Sequence, residues 1–280
     1  MDKNRVVPFL KWPGGKRWIT NEIVKNLPNV ERRYIEPFLG GGALFFAMRP
    51  SNAIISDINS ELIETYKVMR DHPKELREKM LYHQKHHNKE YYYKMRSMKP
   101  RTNLNKASRF LYLNRTCFNG MYRVNKKGEF NVPKGTKDNV VYDVDLFEQY
   151  SDILSNAKIM TADFSSVIDM AEMGDFIFAD PPYAMNSGNQ FIKYNDKLFT
   201  WEDQKRLFYS LKKAYERGAQ IVLTNASCEE IEVMYRNAGF HVIEVSRVCS
   251  ISGNISKRKR IKELIISTYD FKEMENNLDE

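Results

Sequence analysis

Short apolar runs alternate with helical patterns along most of this chain, and that rhythm restricts the fold more than any other feature. From Arg33, Tyr34-Ile35-Glu36-Pro37-Phe38-Leu39 leads through Gly40-Gly41-Gly42 into Ala43-Leu44-Phe45-Phe46, which predicts a strand, a glycine turn and a helix. Ala53-Ile54-Ile55-Ser56-Asp57 reads as a short buried strand ending in an acid. From Ser60 to about Arg70, Leu62, Ile63, Tyr66 and Met69 fall at spacings of three and four, the period of an amphipathic helix. The rhythm resumes at Lys158-Ile159-Met160. It continues through Asp175–Ala179, Ala219–Leu223, Phe240–Ile243 and Leu264–Ile266. Such alternation predicts an α/β fold, a doubly wound and mostly parallel sheet whose ligand site lies at the carboxyl ends of its strands.

Residues 72–140 interrupt this pattern. Polar, basic helical stretches are followed by a Gly-, Asn- and Pro-rich segment from Asn119-Gly120 to Pro133-Lys134-Gly135 that reads as a hairpin with loops. The expected organisation is a catalytic domain from residues 1–71 and 141–280, with 72–140 as an inserted, mainly helical lobe. The insertion holds 17 Lys and Arg against 5 Asp and Glu, a net +12, whereas the whole chain carries +8 and the remainder therefore −4. A polyanion partner fits that localisation, although a solvated lysine-rich face has the same composition. Neither a signal peptide nor a run of eighteen apolar residues is present, and three cysteines without CxxC spacing argue against a disulfide framework or a zinc site. A cytoplasmic, nucleoid-associated protein is expected.

Asp180-Pro181-Pro182-Tyr183 directly follows the apolar run Phe176–Ala179, where a doubly wound sheet keeps its active site. The prolines lack N–H donors, so the turn is rigid and the Pro181 carbonyl can accept while Asp180 and Tyr183 project forward. A carboxylate and a carbonyl together suit an exocyclic amine, a poor nucleophile because its lone pair is delocalised into the ring. Accepting both of its hydrogens localises that pair for in-line attack on the methyl of a sulfonium donor, with Tyr183 stacked on the base.

The glycine turn at Gly40 and Gly42 is followed by Asp57, placed to accept ribose hydroxyls. A nicotinamide cofactor would use the same arrangement. The absence of GxGxxG and the acid Glu36 just upstream favour S-adenosylmethionine over a pyrophosphate. Asp163 and Phe164, after a third strand, are candidates to flank an adenine ring. Trp12 and Lys16 are candidates for an apolar wall and a cation for the methionine carboxylate, with a core tryptophan and a solvated lysine as the bland alternative.

FLKWPGGK, YIEPFLGGGALFF, SDIN, LNRTCFNGMYRVNKKGEFNVP, ADF and DPPYA occur in that order, and together they resemble the Dam-type (D12 class, alpha-group) family of adenine-N6 DNA methyltransferases over nearly the whole chain. The resemblance implies a Rossmann-like methyltransferase fold with an inserted target-recognition domain. It implies cofactor contacts at Trp12, Lys16, Asp57 and Asp180, with Asp163 and Phe164 near the adenine. Glu36, Phe38, Gly40 and Gly42 complete the expected cofactor set, and Asp180, Pro181, Pro182 and Tyr183 the catalytic one.

The resemblance also implies that duplex DNA is met around Arg115, Phe118, Asn119, Met121 and Arg123, with Asn125 and Lys126 beside them. Arg123 is the candidate to read a guanine, and Phe118, Asn119 and Met121 to hold a flipped adenine out of the stack. GATC is a compatible target, although Thr136-Lys137 after Gly135 departs from the GATC enzymes. Lys257 and Arg258 lie in a second basic run suited to phosphates. Residues 184–199 read as a loop beside the active site that orders on DNA. His83, His86 and His87 are expected on an exposed basic face rather than at a metal.

A monomer is expected, as an orphan enzyme or as the methylating half of a restriction-modification pair without a stable endonuclease complex. The rivals are methylation of cytosine N4, an RNA adenine or a protein glutamine amide, an inactive DNA-binding subunit, and, more distantly, a dehydrogenase.

Overall fold

Each apolar run becomes a strand: β1 (Tyr34–Glu36), β2 (Ala53–Asp57), β3 (Ala157–Thr161), β4 (Phe176–Ala179), β5 (Gln220–Ala226), β6 (His241–Val248) and β7 (Arg260–Ser267). The helices are α1 (Thr20–Lys25), α2 (Ala43–Met48), α3 (Ser60–Asp71), α4 (Pro73–His86), α5 (Lys89–Ser97), α6 (Asn103–Thr116), α7 (Phe147–Ser155), α8 (Phe164–Ile168), α9 (Trp201–Glu216) and α10 (Glu229–Arg236). The computed structural model describes residues 6–16, 18–27, 30–142, 146–183, 199–248 and 260–270.

The strands form one seven-stranded sheet in the order β3-β2-β1-β4-β5-β7-β6. The pairs β2–β3, β1–β4 and β4–β5 are parallel, whereas β7 runs antiparallel to both β5 and β6. Every residue of β4 is buried, which explains its unbroken apolar sequence: a central parallel strand is covered on both faces. The mostly parallel doubly wound sheet expected from the alternation is therefore present. The antiparallel insertion of β7 between β5 and β6 is an addition to that expectation.

Local signals set the helix boundaries. The Asn59 side chain accepts the Leu62 N–H at the start of α3. Thr200 and Asp203 exchange side chain-to-backbone bonds in a capping box before α9, whose Leu207, Phe208, Leu211 and Ala214 are buried.

The chain divides into two compact units, Met1–Val24 with Leu39–Thr161 and Lys25–Phe38 with Ala162–Glu280. In the first, Phe9, Phe46, Tyr66 and Tyr150 form a ring cluster with centroid separations of 5.0 to 6.4 Å. The basic helices α4 to α6 belong to this unit. Within it α6 packs on α3, and the Asn114 amide both accepts the Lys11 N–H at 2.9 Å and donates to the Lys11 carbonyl at 2.7 Å. In the segment read as a hairpin, Val124 and Phe130 form an antiparallel bridge and the Asn125 N–H donates to the Glu129 carbonyl at 2.8 Å. No helix among the described residues is long and apolar enough to cross a membrane.

Candidate active site

In the second unit, β1 and β4 are parallel neighbours with Tyr34 beside Phe176. The chain leaves β1 toward β2 and β3 on one side and continues from β4 to β5 on the other. Strand order therefore reverses between β1 and β4, and ligands of open α/β sheets sit beyond the carboxyl ends at such a reversal. Glu36-Pro37-Phe38 ends one of these strands and Asp180-Pro181-Pro182-Tyr183 follows the other.

The Thr224 hydroxyl donates to Asp180 Oδ1 at 2.7 Å. The Tyr183 hydroxyl donates to Glu263 Oε2 at 3.1 Å. Burial above all, then the charges of Asp180 and Glu263, pushes the Tyr183 phenol well above its ordinary range, with the Thr224 hydroxyl pulling the other way. Tyr183 is thus a neutral ring and a hydrogen-bond donor at any physiological pH. Pro181 is buried and Pro182 exposed.

Glu36 is buried and its Oε2 accepts the Tyr34 hydroxyl at 2.7 Å. Burial first, then the Glu36 charge and this bond, raises the Tyr34 phenol well above its usual value. Phe38 stacks on Phe164 at 5.2 Å, and Phe199 closes a triangle with both at 5.7 and 5.6 Å. Asp163 caps α8 by accepting the Ser165 N–H at 3.0 Å, and Arg206 bonds the same carboxylate at 2.7 Å while its guanidinium lies 4.8 Å from the Phe164 ring centroid. Burial works to raise the Asp163 carboxyl, but the hydrogen bonds from Ser165 and Arg206 outweigh it and leave it below the ordinary value. Phe199 and Arg206 were not foreseen. Their only sequence signal is position, at the start of the helix that follows residues 184–198.

The first unit holds the glycine turn. The Gly40 N–H donates to Asp57 Oδ2 at 3.0 Å and the Asn59 N–H to Oδ1 at 2.9 Å. The Tyr66 hydroxyl reaches the Gly40 carbonyl at 3.0 Å. Burial raises the Asp57 carboxyl, opposed by the N–H groups of Asn59, Gly40 and Ile58. Gly40 has φ +46°, and a Cβ there would lie 2.7 Å from Trp12 Cδ1, so the close approach of the indole requires glycine. Gly42, at φ +64°, is the N-cap of α2. The Trp12 ring stacks on Tyr122 at 5.5 Å. Lys16 is buried, with Nζ donating to the Gly14 carbonyl at 3.2 Å.

The residues expected at DNA separate into two groups. Phe118, Asn119, Arg123 and Lys126 are exposed, and Met121 is half-buried. Asn119 has the left-handed φ of +54° within the turn that follows α6. Arg123 Nε donates to Asn131 Oδ1 at 2.8 Å.

Arg115 departs from the expectation, because it is only 1 % exposed. Its guanidinium donates to the carbonyls of Val140 at 2.9 Å and Phe9 at 3.1 Å and lies over the Tyr142 ring. It is an interior strut that satisfies backbone acceptors. Asn125 is a turn former, with Oδ1 accepting the N–H groups of Lys127 and Glu129. Lys257, Arg258 and residues 184–198 lie outside the described residues.

The histidines correct the expectation of an exposed face. His83 is buried with Nδ1 2.7 Å from the Tyr91 hydroxyl, and His87 Nδ1 lies 2.8 Å from the Tyr112 hydroxyl. Tyrosines from α5 and α6 cover them, which the spacing within α4 alone did not reveal. Among the described residues no group of His, Cys, Asp and Glu is arranged to hold a metal ion.

The model of the D12 class N6 adenine-specific DNA methyltransferase family matches residues 12–251. Type II methyltransferase M1.LlaDCHI of Lactococcus lactis subsp. cremoris is 38% identical, covering 96% of this chain and 98% of its own. Type II methyltransferase M.MjaIII of Methanocaldococcus jannaschii is 35% identical over 94% and 99%, and the DNA adenine methylase of Escherichia coli K12 is 32% identical over 95% of each chain.

Proposed function

This chain belongs to the D12 class of N6 adenine-specific DNA methyltransferases, and from that premise we propose that it methylates N6 of an adenine turned out of a short duplex DNA site, with S-adenosylmethionine as donor. The observation that carries the reading is the placement of Asp180–Tyr183 at the end of β4, where strand order reverses, with Asp180 and Tyr183 each fixed by a hydrogen bond.

The cofactor, when bound, supplies an electrophilic methyl on a sulfonium. The donor set fits it. Asp57 has about four lone-pair sites, so accepting turn N–H groups leaves it capacity for a ribose hydroxyl. Gly40, Gly42 and Trp12 form the turn and wall beside that acid, and Lys16 is the cation for a carboxylate. In the other unit Phe38 and Phe164 offer aromatic faces for an adenine ring, beside Asp163 and Glu36.

Asp180 and the Pro181 carbonyl accept the two amine hydrogens, which localises the nitrogen lone pair toward the methyl. Pro182 keeps the turn rigid and Tyr183 stacks on the base. Catalysis then comes from orientation and electrostatics, with no covalent enzyme intermediate. Phe118, Asn119 and Met121 support the extruded base, while Arg123, Asn125 and Lys126, with Lys257 and Arg258, meet bases and phosphates. The enzyme acts as a monomer, alone or beside a separately encoded endonuclease, and GATC is one candidate site.

The test incubates the protein with S-adenosylmethionine and unmethylated plasmid and identifies modified nucleosides by mass spectrometry. N6-methyladenine, lost in Asp180→Ala with DNA affinity retained, is expected. N4-methylcytosine, an unmodified plasmid, or a fully active Asp180→Ala enzyme overturns the reading.

A further inference from the structure

Thr224 and Glu263 come from β5 and β7, the next two strands on one side of β4, and neither belongs to a motif seen in the sequence. The register Ala179 beside Leu223 places Asp180 next to Thr224 on parallel strands. Thr224 is opposite Ile265, and Glu263 is opposite Ala226. Because side chains alternate with a period of two, Asp180, Thr224 and Glu263 share one face of the sheet on three adjacent strands.

Both residues are 1 % exposed. A buried carboxylate among Leu264, Ile265 and Ile266 is costly unless hydrogen-bonded, and an apolar residue would serve the core better. Thr224 is β-branched, so its χ1 is stiff and its hydroxyl keeps a fixed direction. The two bonds, Thr224 to Asp180 at 2.7 Å and Tyr183 to Glu263 at 3.1 Å, hold the first and last residues of the tetrapeptide from neighbouring strands.

We propose that Thr224 and Glu263 are positioning residues for methyl transfer: Thr224 sets the rotation of the Asp180 carboxylate, and Glu263 sets the plane of the Tyr183 ring against the target base. The proposal rests on the amine-accepting role of Asp180 given above. An acceptor misrotated about its Cβ–Cγ bond loses alignment with the amine hydrogen without altering affinity for DNA. A tyrosine released from Glu263 loses the ring orientation needed for stacking while the core around it stays closed. Both defects appear in the chemical step.

Single-turnover methylation of unmethylated plasmid is measured with labelled S-adenosylmethionine and excess full-length protein, alongside cofactor and DNA affinities. Thr224→Val and Glu263→Leu are expected to slow the step by about ten- to a hundredfold, the worth of one charge-assisted hydrogen bond, with DNA affinity unchanged. Thr224→Ser and Glu263→Gln, which keep a donor and an acceptor respectively, are expected to restore most of the rate. Asp180→Ala is the control. If it is inert while Thr224→Val or Glu263→Leu turns over at the wild-type rate, the proposal fails for that residue. If the conservative variants are as slow as the apolar ones, shape rather than hydrogen bonding matters and the proposal fails. An active Asp180→Ala enzyme overturns the reading beneath it instead.

Discussion

Asp57 accepts the backbone N–H of Gly40 at 3.0 Å, so the acid that closes β2 also shapes the turn that opens α2. Asp57→Ala removes an acceptor for the turn and for a ribose together. Calorimetric titration with S-adenosylmethionine is expected to show at least about tenfold weaker binding, the loss of one hydrogen bond to a charged group. Unchanged affinity would remove Asp57 from the cofactor site.

Gly40→Ala strains a positive φ and drives a methyl into Trp12. A destabilisation of about 1–3 kcal/mol is expected in urea unfolding, with weaker cofactor binding. A stability equal to wild type would mean that the indole moves aside at no cost.

Arg115 and Arg123 are expected to behave as opposites. Arg115→Ala leaves two buried carbonyls without their donor, so it lowers stability by about 1–3 kcal/mol for each and reduces activity equally on all sequences. Arg123→Ala is expected to leave the melting temperature near wild type and to relax discrimination at one base pair by about 1–3 kcal/mol. Methylation-aware sequencing reads the second effect. Uniform weakening on all sites would make Arg123 a phosphate contact.

Burial lowers the pKa of His83 to about 4. The unfolded chain therefore binds the proton more readily than the folded one between the ordinary value of 6.5 and about 4. The stability this neutral histidine permits is complete above pH 6.5 and declines as pH falls through that window, by on the order of 3 kcal/mol at its lower end. His83→Phe is expected to flatten the pH dependence of urea unfolding there. An unchanged slope would assign acid sensitivity to other groups.

The parts of the site that were legible in the sequence are those built by adjacent residues. Asp180–Tyr183 was visible because an apolar strand precedes two prolines, and the Gly40 turn because glycine clusters before a helix. The burial of Arg115 was not legible, because its position on α6 shows which face it occupies but not that Phe9, Val140 and Tyr142 close over it. His83 was misread for the same reason. Thr224 and Glu263 carried no local signal: a threonine just after one apolar run and an acid just before another gain meaning only when strands distant in sequence become neighbours. Periodicity also does not distinguish an antiparallel strand from a parallel one when both are buried, so the place of β7 between β5 and β6 had no signature.

The hydrogen bond from Tyr183 to Glu263 spans 80 residues, and its acceptor lies on β7, the last strand in chain order among the described residues. During synthesis the tetrapeptide emerges from the ribosome long before the strand that anchors its tyrosine. A nascent chain, or one trimmed back from its end through β7, carries every recognisable methyltransferase motif and still lacks that brace. On the positioning role proposed for Glu263, the full rate of methyl transfer is expected only once β7 has joined the sheet between β5 and β6.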